Sequence, residues 1–371
     1  MNQGPLVSSV QKVNLLGMNL PRLEQFFDSL GERSFRATQV MKWIHQAFVT
    51  EFEEMTNLSM KLRAKLADVA HITAPTIISQ QCSGDGTRKW LLRIDAQNSI
   101  ETVFIPEADR GTLCVSSQVG CPLDCQFCAT AKQGFNRNLD CAGIIGQLWL
   151  VRRQLTQEGS QDQVSNVVMM GMGEPLLNFD PVVEAMDLMV HDNAHGLARR
   201  RVTLSTAGVV PGIYRLKTRN PVSLAVSLHA PDDELRDWLV PINRTFPISA
   251  LLSACRDYVA ESPKSVITFE YVMLAGINDH PHHARALAKL INGIPAKVNL
   301  IPFNPFEGSE FKRPGDQAID SFKNILMERG FNAFTRKTRG ADIDAACGQL
   351  AGRVMPRAKR IRRLRGLSTE S

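Results

Sequence analysis

Hydrophobic positions follow a helical period over roughly residues 20–70. In RATQVMKWIHQAF, for example, Val40, Ile44 and Phe48 recur at one-turn spacing. We therefore expect a small helical domain over residues 1–75. The segments that follow are short, apolar and separated by the polar runs DAQN and EADR, which predicts an antiparallel β meander over residues 76–113. Its segments are GTRKWLLRI, SIETVFIP and GTLCVSS.

Beyond these segments, strand-like and helix-like runs alternate. This alternation is typical of repeated βαβ units and predicts a parallel sheet or barrel over residues 114–352. The strand-like runs are VSNVVMM, RRVTLS, VSLAVSL, SVITFEYVML, AKVNLIPF and FNAFTRK. Polar segments follow them: GMGEP, STAG, SLHA, GIND, PFNP and RGADIDAACG. In parallel βα architectures this edge of the sheet binds ligands, so we expect a site there.

Charge is concentrated in a tail at residues 353–371. The chain of 371 residues is 44% hydrophobic and carries a net charge of +6, and seven Lys or Arg lie between Arg353 and Arg365. Such a tail suits binding to a phosphate backbone, but a solvated tail is an equally good interpretation. No run approaches the roughly 18 apolar residues of a membrane span and no basic leader precedes an apolar stretch, so we expect a cytoplasmic protein without a membrane partner.

Three cysteines stand close together in CPLDCQFC: Cys121, Cys125 and Cys128. Four thiolates normally hold a 4Fe–4S cluster, so three leave one iron open to a substrate. A zinc site is the alternative, but zinc would require a second Cys or His pair nearby, and none follows. The spacing C-x3-C-x2-C with Phe127 before the last cysteine resembles that of radical S-adenosylmethionine enzymes. This resemblance implies a partial (β/α) barrel with the helical domain and the short β extension attached.

A longer series of motifs resembles one family, the dual-specificity 23S rRNA and tRNA (adenine-C2)-methyltransferases. The motifs occur in the order CPLDCQFCATAKQGFNRNL, GMGEPL, LSTAG, SLHA, PFNP and TRGADIDAACGQL. The resemblance implies that Cys121, Cys125 and Cys128 bind one 4Fe–4S cluster. It also implies that a second set of residues contacts S-adenosylmethionine. That set is Gly173, Glu174, Ser205, Ser227, Leu228, His229 and Asn304.

Carbon 2 of adenine is electron-poor and cannot attack a methyl sulfonium, so polar methylation of the base is excluded. The resemblance implies that Cys347 first takes a methyl group from one S-adenosylmethionine. A second S-adenosylmethionine then generates the radical that joins the methyl carbon to carbon 2 of the adenine. Cys114 would then attack Cys347 and release the product, leaving a disulfide. Glu101 shares a strand face with Val103 and Ile105. An edge or rim position would explain it, but the family pattern makes it the proton acceptor, with its proton affinity raised by partial burial.

Several alternatives stay open at this point. A related enzyme class methylates carbon 8 of the same rRNA adenosine with the same cluster and paired cysteines. A non-catalytic, redox-sensing RNA-binding protein would also carry an Fe–S cluster. The expected partners are 23S rRNA, tRNA and an external electron donor such as a flavodoxin system, and we expect a monomer. The helical domain and the basic tail are the candidates for RNA binding, and Cys82, Cys141 and Cys255 are expected to be structural.

Overall fold

The computed structural model describes residues 12–260, 266–352 and 354. Its N-terminal part is helical. Asn19 and Ser59 cap two of its helices by accepting hydrogen bonds from backbone N–H groups of the first turn. Val40 and Ile44 are fully buried, as their spacing predicts. Two short parallel strands close the domain. Its elements are β1 (Val13–Asn14), α1 (Leu20–Ser29), α2 (Phe35–His45), α3 (Met60–Val69) and β2 (Ala70–His71).

A ten-stranded sheet forms the centre of the rest. Its strands are β3 (Thr76–Cys82), β4 (Arg88–Arg93), β5 (Ser99–Glu107), β6 (Arg110–Cys114), β9 (Asn166–Met169), β10 (Val202–Thr206), β11 (Ser223–Ser227), β12 (Ile267–Met273), β13 (Ala296–Pro302) and β14 (Asn332–Thr335). The order is β14-β13-β12-β11-β10-β9-β6-β5-β4-β3, with β3–β6 antiparallel and β6–β14 parallel. A separate hairpin joins β7 (Gln118–Gly120) to β8 (Phe135–Asn138).

Helices alternate with the parallel strands. They are α4 (Ala129–Gln133), α5 (Cys141–Gln157), α6 (Phe179–Val190), α7 (Val210–Arg219), α8 (Asp233–Leu239), α9 (Ile248–Ala260), α10 (Pro281–Leu290) and α11 (Asp316–Glu328). Short 3-10 helices cover Leu15–Gly17, Phe52–Glu54, Pro175–Asn178, Arg199–Arg201, Pro241–Arg244 and Ala341–Ile343. In the described part of the chain, no helix is long and apolar enough to cross a membrane.

The helical domain packs on α5. Trp149 of α5 donates its indole N–H to the carbonyl of Ile44 at 2.6 Å. Gly17 lies against the backbone of Ala142 with no room for a Cβ, because the nearest atom would be 2.5 Å away. His45 and His195 face each other in this junction with ring centroids 5.1 Å apart, and both are almost fully buried. The domain is therefore fixed to the sheet-covering helices by close packing.

The predicted α/β class with repeated βαβ units is confirmed. The sequence did not predict β3. All seven of its residues are exposed, so neither face of the strand requires the alternating apolar residues by which a half-buried strand is recognised. The meander strands belong to the same sheet as the parallel strands, because β6 pairs in parallel with β9. Of the predicted basic tail, Arg353 and residues 355–371 lie outside the described residues.

Candidate active site

A cavity of about 160 Å³ opens at the carboxyl ends of the parallel strands. Ten of the predicted site residues line it: Cys121, Cys125, Cys128, Gly173, Glu174, Ser205, Ser227, His229, Asn304 and Cys347. Leu228 does not, since its side chain is fully buried in the core. The polar segments that end the predicted strands therefore converge as expected.

The cluster loop, residues 121–128, leaves the β7–β8 hairpin and enters α4. The N–H of Cys121 donates to the carbonyl of Gly134 at 2.8 Å, and the N–H of Cys128 donates to the carbonyl of Cys125 at 3.2 Å. Gly120 has φ +74°, so the turn into the loop requires a residue that tolerates the left-handed region. Phe127 packs edge-on against His229 with centroids 4.7 Å apart.

The three thiols of the cluster loop influence one another. Burial raises the pKa of Cys121 well above its usual value, and the neighbouring Cys125 and Cys128 raise it further. A metal binds the thiolate form, so binding at these thiols would release their protons to solvent. Among the described residues, no group of three or more His, Cys, Asp or Glu side chains is arranged to bind one metal ion together. A cubane cluster does not need that arrangement, because each thiolate binds a different iron, so the donor set fits a 4Fe–4S cluster.

The turn after β9 is joined to the turn after β10 through Glu174. Its carboxylate accepts from Leu176 N at 3.1 Å and from Ala207 N at 2.7 Å. Burial raises the pKa of Glu174 to about 7, although these hydrogen bonds oppose the shift. Gly173 has φ +103°, and a Cβ there would meet the side chain of Gln118 at 2.5 Å. A side chain at Gly173 would therefore displace Gln118, whose Oε1 accepts from Glu174 N at 2.8 Å.

The turn after β11 is held by His229 and Arg236. The residue His229 has φ +62°, and its Nδ1 accepts from Val272 N at 3.0 Å, so the ring proton lies on Nε2. Burial, with the nearby Arg236 charge, lowers the pKa of His229 to about 3 and keeps the ring neutral. Arg236 is fully buried and donates to the carbonyls of Ala207, Ser227 and Leu228 at 2.7–3.0 Å.

A second cavity lies beside the first and contains Cys114. The two cavities share Met170, Ile301, Asn304, Arg336, Cys347 and Gly348. Burial raises the pKa of Cys114 to about 12 and also raises that of Cys347, while the Arg336 charge lowers both. Cys347 is therefore open on one side to the cavity of the cluster thiols and on the other to the cavity of Cys114.

Glu101 lies in the interior of the sheet. Its strand β5 runs between β4 and β6, and the residue is only 8% exposed, so the edge or rim interpretation is wrong. The carboxylate pairs with Lys89 Nζ at 3.2 Å and accepts from Ala351 N at 2.8 Å. It lines neither of the two cavities, but it contacts the chain four residues after Cys347.

Sequence reasoning missed four charged residues of this region: Lys89, Arg236, Glu270 and Arg336. Glu270 is buried on β12, accepts from Asn299 at 2.7 Å and lines the first cavity, and burial raises its pKa. The half-buried Arg336 donates to Met170 Sδ at 3.9 Å. A signal existed for Glu270 in ITFEYVM and for Lys89 in RKWLLRI, because each is a charge within an apolar strand. Of the remaining cysteines, Cys141 and Cys255 are buried, whereas Cys82 is exposed.

Known proteins resemble this chain along nearly its whole length. Residues 13–72 match the ribosomal RNA large subunit methyltransferase N-terminal domain, and residues 115–288 match the radical SAM superfamily. The dual-specificity RNA methyltransferase RlmN of Saccharophagus degradans is 56% identical over 95% of this chain and 89% of its own length. RlmN of Marinobacter nauticus is 55% identical over 96% of this chain and 98% of its own.

A solved structure agrees with these relatives. The crystal structure of a radical SAM methyltransferase from Sphaerobacter thermophilus superimposes with a TM-score of 0.85 and 41% identity, covering 91% of this chain and 99% of that one. The fold is thus that of the radical SAM methyltransferases, which implies a 4Fe–4S cluster and S-adenosylmethionine, and the redox-sensing alternative has no support. The chain belongs to the RlmN family and is a radical SAM RNA methyltransferase.

Proposed function

We propose that the protein methylates carbon 2 of one adenosine in 23S rRNA and of the adenosine 3′ to the anticodon in tRNAs, by way of a methylated Cys347. The observation that carries this proposal is the position of Cys347 between the two cavities. One cavity contains the three thiols that suit a cluster, and the other contains a second thiol. A cysteine that must accept a methyl group on one side and undergo disulfide exchange on the other needs this double access.

Bound at Cys121, Cys125 and Cys128, a 4Fe–4S cluster would leave one iron for S-adenosylmethionine, two molecules of which supply a methyl group and a hydrogen-abstracting radical for each methylation. Gly173 and Glu174 would bind the methionine end, and Ser205, Ser227, His229 and Asn304 the rest. Leu228 would contribute only backbone, because its side chain is buried.

The side chains near Cys347 supply the remaining steps. Cys347 as thiolate accepts the methyl group, and Arg336 favours that thiolate by its positive charge. After the methyl carbon is joined to the adenine, Glu101 is the final acceptor of the proton lost from carbon 2. Because its carboxylate lines neither cavity, the proton reaches it by a relay and not by direct contact. The adduct radical also gives up one electron, to an acceptor of the kind that a bound 4Fe–4S cluster would supply. The thiolate of Cys114 then attacks the sulfur of Cys347, which breaks the bond between sulfur and carbon and leaves a disulfide, and the released carbon takes up one proton to become the methyl group.

The RNA and the electron must reach this site from outside. We propose that the helical domain and the basic tail hold the RNA, and that the adenine enters as a flipped or loop base. Trp43 and Lys42 on the exposed face of α2, together with Gln39 and Gln46, border a shallow groove suited to RNA. An external electron donor such as a flavodoxin system, a cytoplasmic location and a monomeric state complete the proposal.

The experiment that tests the proposal is expression of Cys114→Ala. This variant should load Cys347 and attack RNA, but it lacks the thiol that resolves the adduct. It should therefore carry RNA fragments through denaturing purification, and peptide mass spectrometry should locate a methylene bridge on Cys347. The double variant Cys114→Ala/Cys347→Ala is the control and should carry none. A Cys114→Ala protein that is free of RNA and turns over normally would contradict the resolving role.

A second measurement distinguishes carbon 2 from carbon 8. RNA methylated in vitro by the wild type is digested to nucleosides, and chromatography with mass spectrometry identifies the product against both standards. We expect 2-methyladenosine only. Accumulation of 8-methyladenosine would instead place the chain with the related enzyme class.

A further inference from the structure

The Cys347 loop, residues 338–352, is held by residues more than 200 positions earlier in the chain, in addition to nearer contacts such as that from Asn304 Nδ2 to the carbonyl of Cys347 at 3.3 Å. Asp342 accepts from Ser83 Oγ at 2.6 Å and from Gly84 N at 3.3 Å. The N–H of Gly340 donates to Asp85 Oδ2 at 3.1 Å. The last three contacts come from the turn between β3 and β4, so the β meander fixes the start of the loop.

A buried ion pair fixes the middle and the end of the same loop. Lys89 is 8% exposed, and its ammonium lies 3.2 Å from Glu101 Oε1 and 3.3 Å from the carbonyl of Asp344. The other carboxylate oxygen of Glu101 accepts from Ala351 N at 2.8 Å. Lys89 and Glu101 thus bind the chain three residues before Cys347 and four residues after it.

The first of these two contacts is made to a residue with a strained backbone. Asp344 has φ +50°, a left-handed conformation that a residue with a Cβ adopts at a cost of roughly 1 kcal/mol or more. Such a conformation persists only where surrounding contacts hold it. The Asp344 carbonyl receives its hydrogen bond from Lys89, so the lysine holds the strained residue in place.

Lys89 itself lines neither cavity. We propose that Lys89 is a positioning residue, whose ammonium sets the place of Cys347 between the two cavities through Asp344 and Glu101. The inference rests on the proposed function, since it assumes that Cys347 must reach Cys114. Glu101 acquires a second task in this arrangement, because its carboxylate anchors Ala351 and partners Lys89.

The test measures how readily Cys347 and Cys114 form a disulfide in the full-length protein with its cluster. Wild type, Lys89→Met and Lys89→Arg are equilibrated anaerobically in glutathione buffers, alkylated and analysed by peptide mass spectrometry. In the reaction, two protein thiols give two electrons and two protons to glutathione disulfide, which yields two glutathione molecules. Lys289→Met, an exposed lysine on α10, is the matched control.

We expect Lys89→Met to lower the equilibrium constant by about tenfold, the effect of losing one hydrogen bond to a charged group. Lys89→Arg should stay near the wild-type value, and Lys289→Met should equal it. Equal constants for wild type and Lys89→Met would overturn the inference while leaving the proposed function intact. Absence of the disulfide from the wild type at every glutathione ratio would instead contradict the resolving role of Cys114, and the inference with it.

A second variant guards against a fold defect in Lys89→Met. Glu101→Gln keeps an oxygen that can accept from Ala351 N–H but removes the charge that Lys89 needs. It should lower the disulfide constant similarly, and the double variant should add little, because both changes break one linked set of contacts. In methylation assays, Lys89→Met should lower kcat and leave the KM for RNA unchanged, whereas a lost RNA contact would raise KM.

Discussion

The cluster loop and the Cys347 loop contribute thiols to the same cavity but are held in different ways. The cluster loop depends on backbone hydrogen bonds within and beside its own hairpin, such as that from Cys121 to Gly134. The Cys347 loop depends largely on side chains of other elements: those of β4, β5 and the turn before them, Thr130 of α4, and Asn304 after β13. Three thiols of the cavity are therefore presented from a locally bonded turn, and Cys347 from a segment held by side chains of distant elements.

The largest expected effect separates the two loops by chemistry. Cys121→Ala should lose its cluster iron and brown colour, and with them all methylation. Cys347→Ala should keep both iron and colour yet methylate nothing, because the methyl carrier is missing. Iron analysis, the visible spectrum and an RNA methylation assay distinguish the two. Residual methylation by Cys347→Ala would exclude the carrier role.

Backbone substitutions sharpen the same contrast. A Cβ on Gly120 would overlap the carbonyl oxygen of Gly134, and one on Gly352 would overlap that of Ser99. We expect Gly120→Ala to lose most of its iron. Gly352→Ala should keep its iron but methylate RNA at least about tenfold more slowly. In both variants the energetic cost of the overlap should exceed the roughly 1–2 kcal/mol that a left-handed backbone conformation alone costs.

Gly159→Ala is the control for these two variants. Gly159 also has positive φ, +62°, but nothing lies within 4 Å of its Cβ position. It should therefore lose only stability, with normal iron content and methylation per folded molecule. Equal loss of iron from Gly120→Ala and Gly352→Ala would show that the two loops form one unit.

The next expected effect concerns the pH dependence of Cys114. Because burial raises the pKa of Cys114 to about 12, the thiolate fraction should grow about tenfold per pH unit well above neutrality. Alkylation by iodoacetamide in a Cys347→Ala background, followed by mass spectrometry, should show this slope. Arg336→Met should slow the reaction at every pH, because the Arg336 charge lowers the pKa of Cys114. A rate that levels off below pH 9 would contradict the burial argument.

The last effect concerns stability and not the reaction, and it lies at the junction between the helical domain and α5. Burial lowers the pKa of His45 to about 3 and that of His195 well below its usual value. The unfolded chain binds these protons near pH 6.5 and the folded chain does not, so the stability is full above pH 6.5 and falls towards pH 3. The loss is about 1.4 kcal/mol per pH unit for each histidine.

Urea unfolding at pH 7, 6 and 5 measures that loss. His45→Phe should remove the contribution of one histidine from the pH dependence of the free energy of unfolding. His282→Phe, at an exposed position, should leave that pH dependence unchanged. Because other buried groups such as Glu174 and His229 also titrate differently on unfolding, the test is the difference between variants. Equal pH dependence in the wild type and His45→Phe would show that the His45 imidazole is solvated in the native state.

The sequence predicted those parts of the molecule whose signal is local. The helix α2, the parallel strands and the C-x3-C-x2-C spacing all depend on residues a few positions apart. The contacts of Lys89 and Glu101 with the Cys347 loop could not be predicted, because nothing near these two residues marks partners 255 and 250 positions later in the chain. Glu101 illustrates the limit: its strand face was predicted, but its interior place depends on β4 and β6 on either side.

The long separation between the meander and the Cys347 loop also orders the assembly of the enzyme during synthesis. The contact from Ala351 to Glu101 spans 250 residues. At about 5–20 residues per second, a ribosome needs roughly 10–50 s to make that interval. The thiols of the cluster loop emerge early in it and Cys347 only at its end. Iron and sulfide can therefore reach the thiols of the cluster loop before the Cys347 loop covers the cavity that those thiols line.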